Sequence, residues 1–279
     1  MDIEKARRKI IDEIRKNVDV AVVGLSGGAD SLTVALLCAD SLGKENVYSY
    51  SLPFSEYDLQ TFNKKSENYA LHIGIRHKII EIGKAAMALD EAVRSGLNFI
   101  ENERCLGNEK LSTLNSGNCR ARVRTSALYG IAHHLNETLK KRVRVMGTGN
   151  LSEDFIGYDT KGGDALADIF PIGHLFKSEV YAMLEYYRDK GVITEDMINR
   201  NPSAGLWEGQ TDESEIGYSY NEMEGAVRYI LANYDSIGSE VEALNDITRF
   251  VWFRHLANKH KHEAPPVIRI RDEKGDICL

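Results

Sequence analysis

The residues Gly24-Leu25-Ser26-Gly27-Gly28-Ala29-Asp30-Ser31 have types and spacing that could do chemistry. Adjacent glycines let successive backbone N–H groups turn toward one point and approach an anion without a Cβ in the way. A helix starting just after them adds its positive dipole end, and Ser26 and Ser31 add hydroxyl donors. Asp30 would repel a phosphate unless a cation lay between them. The loop therefore implies a pyrophosphate group together with Mg²⁺. The lysine and the longer spacing of a Walker A loop are missing. A plain glycine-rich turn has no use for an aspartate between two phosphate-type donors, so the ligand-binding reading is preferred.

Such a loop needs a strand before it and a helix after it. Val18–Val23 is a β-branched run ending at Gly24, as a buried parallel strand requires. Residues 2–17 before it carry Ile3, Ile10, Ile11 and Ile14 at helical spacing among charges. Ser31–Leu42 reads as a helix capped by Gly43, Asn46–Leu52 as a second strand, Ser55–His72 as a helix and Arg76–Ile82 as a third strand. Val143–Met146 is a further strand that runs into Gly147-Thr148-Gly149. Strands alternating with helices predict an α/β fold, a Rossmann-like parallel sheet with helices on both faces. Ligands of such sheets bind beyond the carboxyl ends of the strands, where both glycine loops would converge.

The 279 residues, 43% hydrophobic and 28% charged, suit one soluble domain with a full core. We expect a single domain over residues 1–279, with a helical extension from about residue 180 made of Ser178–Asp189, Tyr220–Ala232 and Val241–Phe250. Asn98–Gly117 lacks periodicity and reads as a surface loop that could act as a lid. A net charge of −7 argues against nucleic acid as a partner. No apolar run is long enough to span a membrane, and Met1 leads into charges, so a cytoplasmic location is expected. The cysteines Cys38, Cys105, Cys119 and Cys278 form no CxxC pair, which disfavours structural zinc and redox chemistry.

The glycine loop resembles the signature of the ATP pyrophosphatases, which cleave ATP to AMP and pyrophosphate while activating a carbonyl or carboxylate oxygen; the resemblance implies a fold like that of the adenine nucleotide alpha hydrolases. The middle of the chain narrows this. Asn118-Cys119-Arg120-Ala121-Arg122-Val123-Arg124 resembles the N-x-x-A-R-x-R motif of the NAD synthetases. Gly147 to Lys177 is similar to that family's central motif throughout, with Ser152-Glu153, Gly157-Tyr158 and Thr160-Lys161-Gly162-Gly163-Asp164 in order. Pro202–Leu206, Thr211–Gly217 and His260-Lys261 resemble its later blocks.

The resemblance implies adenylation of the nicotinate carboxylate of deamido-NAD by ATP, followed by attack of ammonia to give NAD and AMP. By the same resemblance Asp30 and Glu153 hold Mg²⁺, and Lys177, Thr148 and Ser203 join residues 24–31 on ATP. Arg122, Lys161, Asp168, His260 and Lys261 match the positions that bind deamido-NAD. Asp30, Glu153 and Lys177 are then the catalytic set, and the family implies a homodimer. Taken alone, Glu153 is a carboxylate at a helix start, which suits the dipole there, and Lys177 near a helix start is a misplaced cation unless it faces an anion. Three arginines at Arg120, Arg122 and Arg124 more often make a solvated helix face than a site.

Ala29 stands where the family usually has isoleucine, His262 where arginine is common and Asn150 where many members have histidine. No glutamine-hydrolysing domain accompanies the sequence, which points to free ammonia as the nitrogen source. A related synthetase acting on a purine nucleotide or a tRNA, and an ATP sensor without turnover, are the alternatives. Arg122 with Lys161 favours a dinucleotide over the first, and retention of both Asp30 and Glu153 argues against the second. His133-His134 and the basic run Lys140, Lys141, Arg142 and Arg144 read as solvated surface. Tyr186-Tyr187 and Trp252-Phe253 read as core.

Overall fold

The computed structural model describes residues 1–60, 64–104, 112–198, 215–239, 241–268 and 270. Four strands, β1 (Val20–Gly24), β2 (Val47–Ser51), β3 (Arg76–Ile79) and β4 (Val143–Met146), form one sheet in the order β3-β2-β1-β4. All three pairings are parallel, in the register Ala21 to Val47, Val20 to Val143 and Tyr48 to Arg76. A single parallel bridge from Met146 to Ile169 continues the sheet beyond β4. The strand order reverses direction between β1 and β4, and there a crevice opens beyond the strand ends.

The alternation of β1 assigns its two faces. Ala21 and Val23 pack with helices α1 (Ile3–Asn17), α2 (Ala29–Leu42) and α8 (Lys177–Asp189), and with the end of α4 (Lys64–Ile73). Val20 and Val22 face α6 (Thr113–Leu139) through Ala132, with Leu128 and Ile131 beside it. The expected helices on both faces are present. Helix α2 is buried nearly all round, with Leu32, Val34, Leu36 and Leu37 within 2% of full burial, so it runs through the core rather than over it. Cys38 lies on this helix as a small buried residue, and burial raises its thiol pKa to about 12.

Several sequence expectations change in detail. Within the expected Ser55–His72 helix, α3 (Glu56–Asp58), capped by Ser55, passes into helical residues 59–60, and α4 follows from Lys64; residues 61–63 fall outside the described residues. The described parts of Asn98–Gly117 are largely helical. α5 (Gly83–Arg104) runs through the first of them and α6 starts at Thr113, so only 105–111 fall outside the described residues. Polar side chains hid the helix because periodicity reports burial, not backbone. The last helix starts at Asp246, capped by Asn245, not at Val241, which begins a 3₁₀ turn.

Helix α8 belongs with the main core through Val180, Met183, Leu184 and Tyr187. A second cluster with its own apolar centre joins Phe155, Ile156 and Phe176 to α9 (Tyr220–Ala232) and α10 (Asp246–Asn258). By packing, the extension therefore begins after α8 rather than at residue 180. Trp252 and Tyr187 are core as expected, whereas Phe253 is 53% exposed. His133 and His134 are exposed, as expected. No described helix is long and apolar enough to cross a membrane.

Candidate active site

The glycine loop leaves β1 and becomes α2 within a few residues. Gly27 has φ +76°, a left-handed conformation that costs an L side chain about 1–2 kcal/mol. Ser31 is buried; its hydroxyl donates to the Gly28 carbonyl (3.1 Å) and accepts from the Ser26 N–H (3.2 Å). Ser31 thus braces the loop from beneath and is not the outward donor that the sequence suggests. Leu25 and Ala29 point into the core, so only the backbone of these two is available to a ligand. Ser26 is exposed.

Asp30 sits in the first turn of α2, and across the crevice Glu153 sits in the first turn of α7 (Leu151–Phe155). Lys177, the first residue of α8, joins them. Its Nζ lies 2.6 Å from Asp30 Oδ2 and 2.8 Å from Glu153 Oε1. Lys177 is only 4% exposed. Burial works against its charge, but Glu153 and Asp30 outweigh that penalty and hold its pKa above the ordinary lysine value. Glu153 is therefore more than a helix-start carboxylate, and Lys177 at a helix start has found its anions.

Asn150 completes this group. It is fully buried, donates from Nδ2 to Asp30 Oδ1 (3.0 Å) and accepts at Oδ1 from the Glu153 N–H (3.2 Å). One amide thus caps α7 and ties the two carboxylate-bearing helices together. Two carboxylates already converging on one cation are hard oxygen donors of the kind that suits Mg²⁺. The Tyr220 hydroxyl, at the start of α9, also donates to Glu153 Oε1 (2.8 Å).

A cavity of about 640 Å³, a volume typical of small-ligand sites, opens at the start of the glycine loop, and Asp30, Asn150, Glu153 and Lys177 are not among its lining residues. Gly24–Ser26, Gly147, Thr148, Arg124 and Lys261 are among its walls. Gly147 must lack a Cβ, which would come within 2.4 Å of the Phe170 ring. Thr148 is half-buried at the strand end, as the sequence expects.

The predicted dinucleotide-binding residues lie on the open side. Arg122 is exposed and donates from Nε to the Lys161 carbonyl (3.2 Å), and Lys161 Nζ donates to the His260 carbonyl (2.7 Å). Lys261 turns inward and donates to the Gly157 and Asp159 carbonyls at 2.6 and 2.8 Å. The fold thus strings Arg122, Lys161, His260 and Lys261 together, although 139 positions separate Arg122 from Lys261 in sequence (261 − 122). Asp168 is placed elsewhere. It accepts from the Val145 N–H (2.8 Å) at the edge of β4 and from the Tyr129 hydroxyl (3.3 Å). Ser203 and the blocks Pro202–Leu206 and Thr211–Ser214 lie outside the described residues.

The other arginines of the α6 motif do not form a solvated face. The Arg120 guanidinium lies 3.7 Å from the Phe54 ring centroid, and Arg124 Nε donates to the Leu52 carbonyl (3.0 Å). Asp159, Asp154 and His262 form a further cluster that the sequence did not disclose, with His262 Nε2 2.5 Å from Asp159 Oδ2. Burial, with a smaller contribution from neighbouring carboxylates, raises the Asp154 pKa to about 7. Asn150 was visible in the sequence only as a departure from histidine. Tyr220 gave no signal, because an aromatic residue at a helix start is ordinarily core.

A parallel α/β sheet with a pyrophosphate-type glycine loop and paired carboxylates at its switch point defines an ATP-using enzyme of the pyrophosphatase class. The family model for NAD synthase matches residues 3–265. The chain is 37% identical to the NH(3)-dependent NAD(+) synthetase of Methanosarcina acetivorans, over 96% of this chain and 98% of that one. It is 33% identical to the enzyme of the same name from Archaeoglobus fulgidus, over 98% and 99%. Among solved structures, it is similar to an NMN synthetase from Francisella tularensis, with TM-score 0.74 and 25% identity over 96% and 99% of the chains. An NH3-dependent NAD synthetase from Campylobacter jejuni gives TM-score 0.69 and 26% identity over 96% and 100%. The chain belongs to the NAD synthase family and has that family's ligase activity.

Proposed function

We infer that this chain joins ammonia to the nicotinate carboxylate of deamido-NAD in two steps. The carboxylate attacks the α-phosphorus of ATP and expels pyrophosphate. Ammonia then attacks the acyl carbon of the mixed anhydride and releases AMP, leaving the amide of NAD. The observation that carries the reading is the convergence of Asp30 and Glu153 on Lys177 beside the glycine loop, with their oxygens 2.6 and 2.8 Å from its Nζ.

Gly27 offers its backbone N–H to the phosphates, Gly28 offers its own on giving up the bond to the Ser26 hydroxyl (3.3 Å), and Lys177 offers them an ammonium held in place by its first turn. Asp30 and Glu153 would hold Mg²⁺, which when bound neutralises charge on the phosphate oxygens. Thr148 and Ser203 add hydroxyl contacts to ATP. Arg122, Lys161, His260 and Lys261 hold the dinucleotide's phosphates and carboxylate, and Asp168 a donor on its sugar or ring. Arg122 and Lys161 are exposed on one face, so a substrate laid along them lacks a second wall. A second copy of the chain supplies it, making the active form a homodimer of one 279-residue domain per chain. Buried free thiols at Cys38 and Cys119 suit a cytoplasmic setting.

The likeness to an NMN synthetase supports a second reading, in which the acid is the mononucleotide. The test is AMP and pyrophosphate release with ATP, ammonium and either deamido-NAD or nicotinate mononucleotide. We expect turnover chiefly with the dinucleotide. Faster reaction with the mononucleotide overturns that choice, AMP release without either acid overturns the ligase reading, and equal use of glutamine overturns ammonia as the nitrogen source.

A further inference from the structure

Glu224 is a buried carboxylate that none of the chemistry above uses. It lies on α9, in the second apolar cluster, and is 6% exposed. Its Oε1 accepts from the Ser178 N–H (2.9 Å) and the Ser152 hydroxyl (3.2 Å), and its Oε2 accepts from the Ser178 hydroxyl (2.6 Å). Ser152 Oγ in turn accepts from the Lys177 N–H (2.9 Å). The residue before α8, Phe176, has no side chain able to cap it. The cap comes instead from Glu224, one helix away.

Each residue that Glu224 holds is the chain neighbour of a charged site residue. Ser152 precedes Glu153, and Ser178 follows Lys177. Four positions before Glu224 on α9, Tyr220 donates to Glu153 Oε1, and its ring lies 5.2 Å from Lys177 Nζ. One side of α9 therefore grips both members of the ion pair, Glu153 through its carboxylate and Lys177 through its backbone. A helix first turn left unsatisfied could be capped by water or a serine at Phe176. Burying a full negative charge there is worthwhile only if the direction of the Lys177 stem matters.

We propose that Glu224 is a positioning residue for the adenylation step: it fixes the backbone of Lys177 and Glu153 through Ser178 and Ser152. Through it, the C-terminal helical cluster sets the geometry of a site carried by the sheet. The proposal rests on the functional reading above. An acceptor-only carboxylate takes all three donors at once, whereas an amide presents one face as a donor.

The test is Glu224→Gln, followed by single-turnover pyrophosphate release, steady-state KM values, Mn²⁺ binding to the protein–ATP complex by electron paramagnetic resonance, and thermal unfolding. We expect pyrophosphate release to slow about 10–100-fold and Mn²⁺ to bind correspondingly less tightly. The KM for deamido-NAD should not change, and the protein should stay folded at assay temperature. If Glu224→Gln does not fold, Ser152→Ala carries the test: it removes the bridge from Glu224 to the Lys177 N–H, leaves both Ser178 bonds to Glu224, and should show the same changes at smaller size. Folded variants with wild-type pyrophosphate release and Mn²⁺ binding overturn the proposal. So does a lowered unfolding temperature with every kinetic parameter intact, which would make Glu224 a structural cap. Failure of the wild-type protein to use deamido-NAD refutes the functional reading instead, and leaves the Mn²⁺ comparison to judge Glu224.

Discussion

The two ends of the active-site crevice are built differently. At the phosphate end, Asp30, Glu153 and Lys177 sit at the first turns of three helices, and Asn150, Tyr220 and Ser152 hold them from behind. At the open end, Arg122, Lys161 and His260 are exposed and meet through side chain to backbone bonds. The first end is set before any ligand arrives. The second is an exposed rim, and on the function proposed above its side chains gain their final order from the substrate. Chemistry that must stabilise charge on phosphorus needs preorganised dipoles, whereas recognition tolerates rearrangement.

The largest test of this contrast is at the phosphate end. Asp30→Asn should lower AMP release by about 10³-fold or more while the protein stays folded. Near-normal turnover would remove Asp30 from the metal-holding pair. Lys177→Met should be similarly inactive and also less stable, because it leaves two facing carboxylates without their shared cation; such breaks cost about 3–5 kcal/mol when buried. An unfolding temperature equal to wild type would show that the ion pairs contribute nothing to the fold.

Gly147→Ala probes the wall between the two ends. A Cβ placed 2.4 Å from the Phe170 ring should cost about 1–3 kcal/mol of stability and weaken ATP binding. Unchanged denaturant midpoint and ATP KM would mean that the ring moves aside freely. At the open end, Arg122→Ala should raise the KM for deamido-NAD about tenfold, the worth of one charged contact, and leave stability and ATP KM alone. A matching loss in kcat would show that the rim too is preorganised for chemistry.

The smallest effect is on pH. Asp154 ionises near pH 3.8 when unfolded, and burial raises its pKa to about 7 in the folded protein. Between those values the folded state holds the extra proton, so stability is greatest below the lower pH and declines as pH rises through the upper one. His262, raised by its bond to Asp159, declines in the same direction. Asp154→Asn should flatten the unfolding temperature between about pH 5 and 8. An unchanged slope would place the titration on another group.

Much of the fold was legible because its signals are local. The β1 run of valines, the glycines that follow and the polar–apolar spacing of α1 each report their own backbone. The helical character of 98–104 was not legible, because the sequence there carries no apolar stripe at helical spacing. In the site, the resemblance singled out Asp30, Glu153 and Lys177, but nothing local predicted Glu224. In sequence it is one more acid on an amphipathic helix, and only the apolar neighbours Met223 and Val227 hint that it is buried.

By itself, then, the sequence determined the parallel sheet, the anion-binding loop after β1 and the kind of charges that a phosphate reaction needs. It did so because backbone preference, glycine freedom and side-chain charge act over a few residues. The tertiary structure alone decided which of those charges meet. Lys177 reaches Asp30 across 147 positions, and Glu224 reaches Ser178 across 46. Such contacts depend on how α2, α7, α8 and α9 pack around the sheet edge, and no window of sequence contains that information.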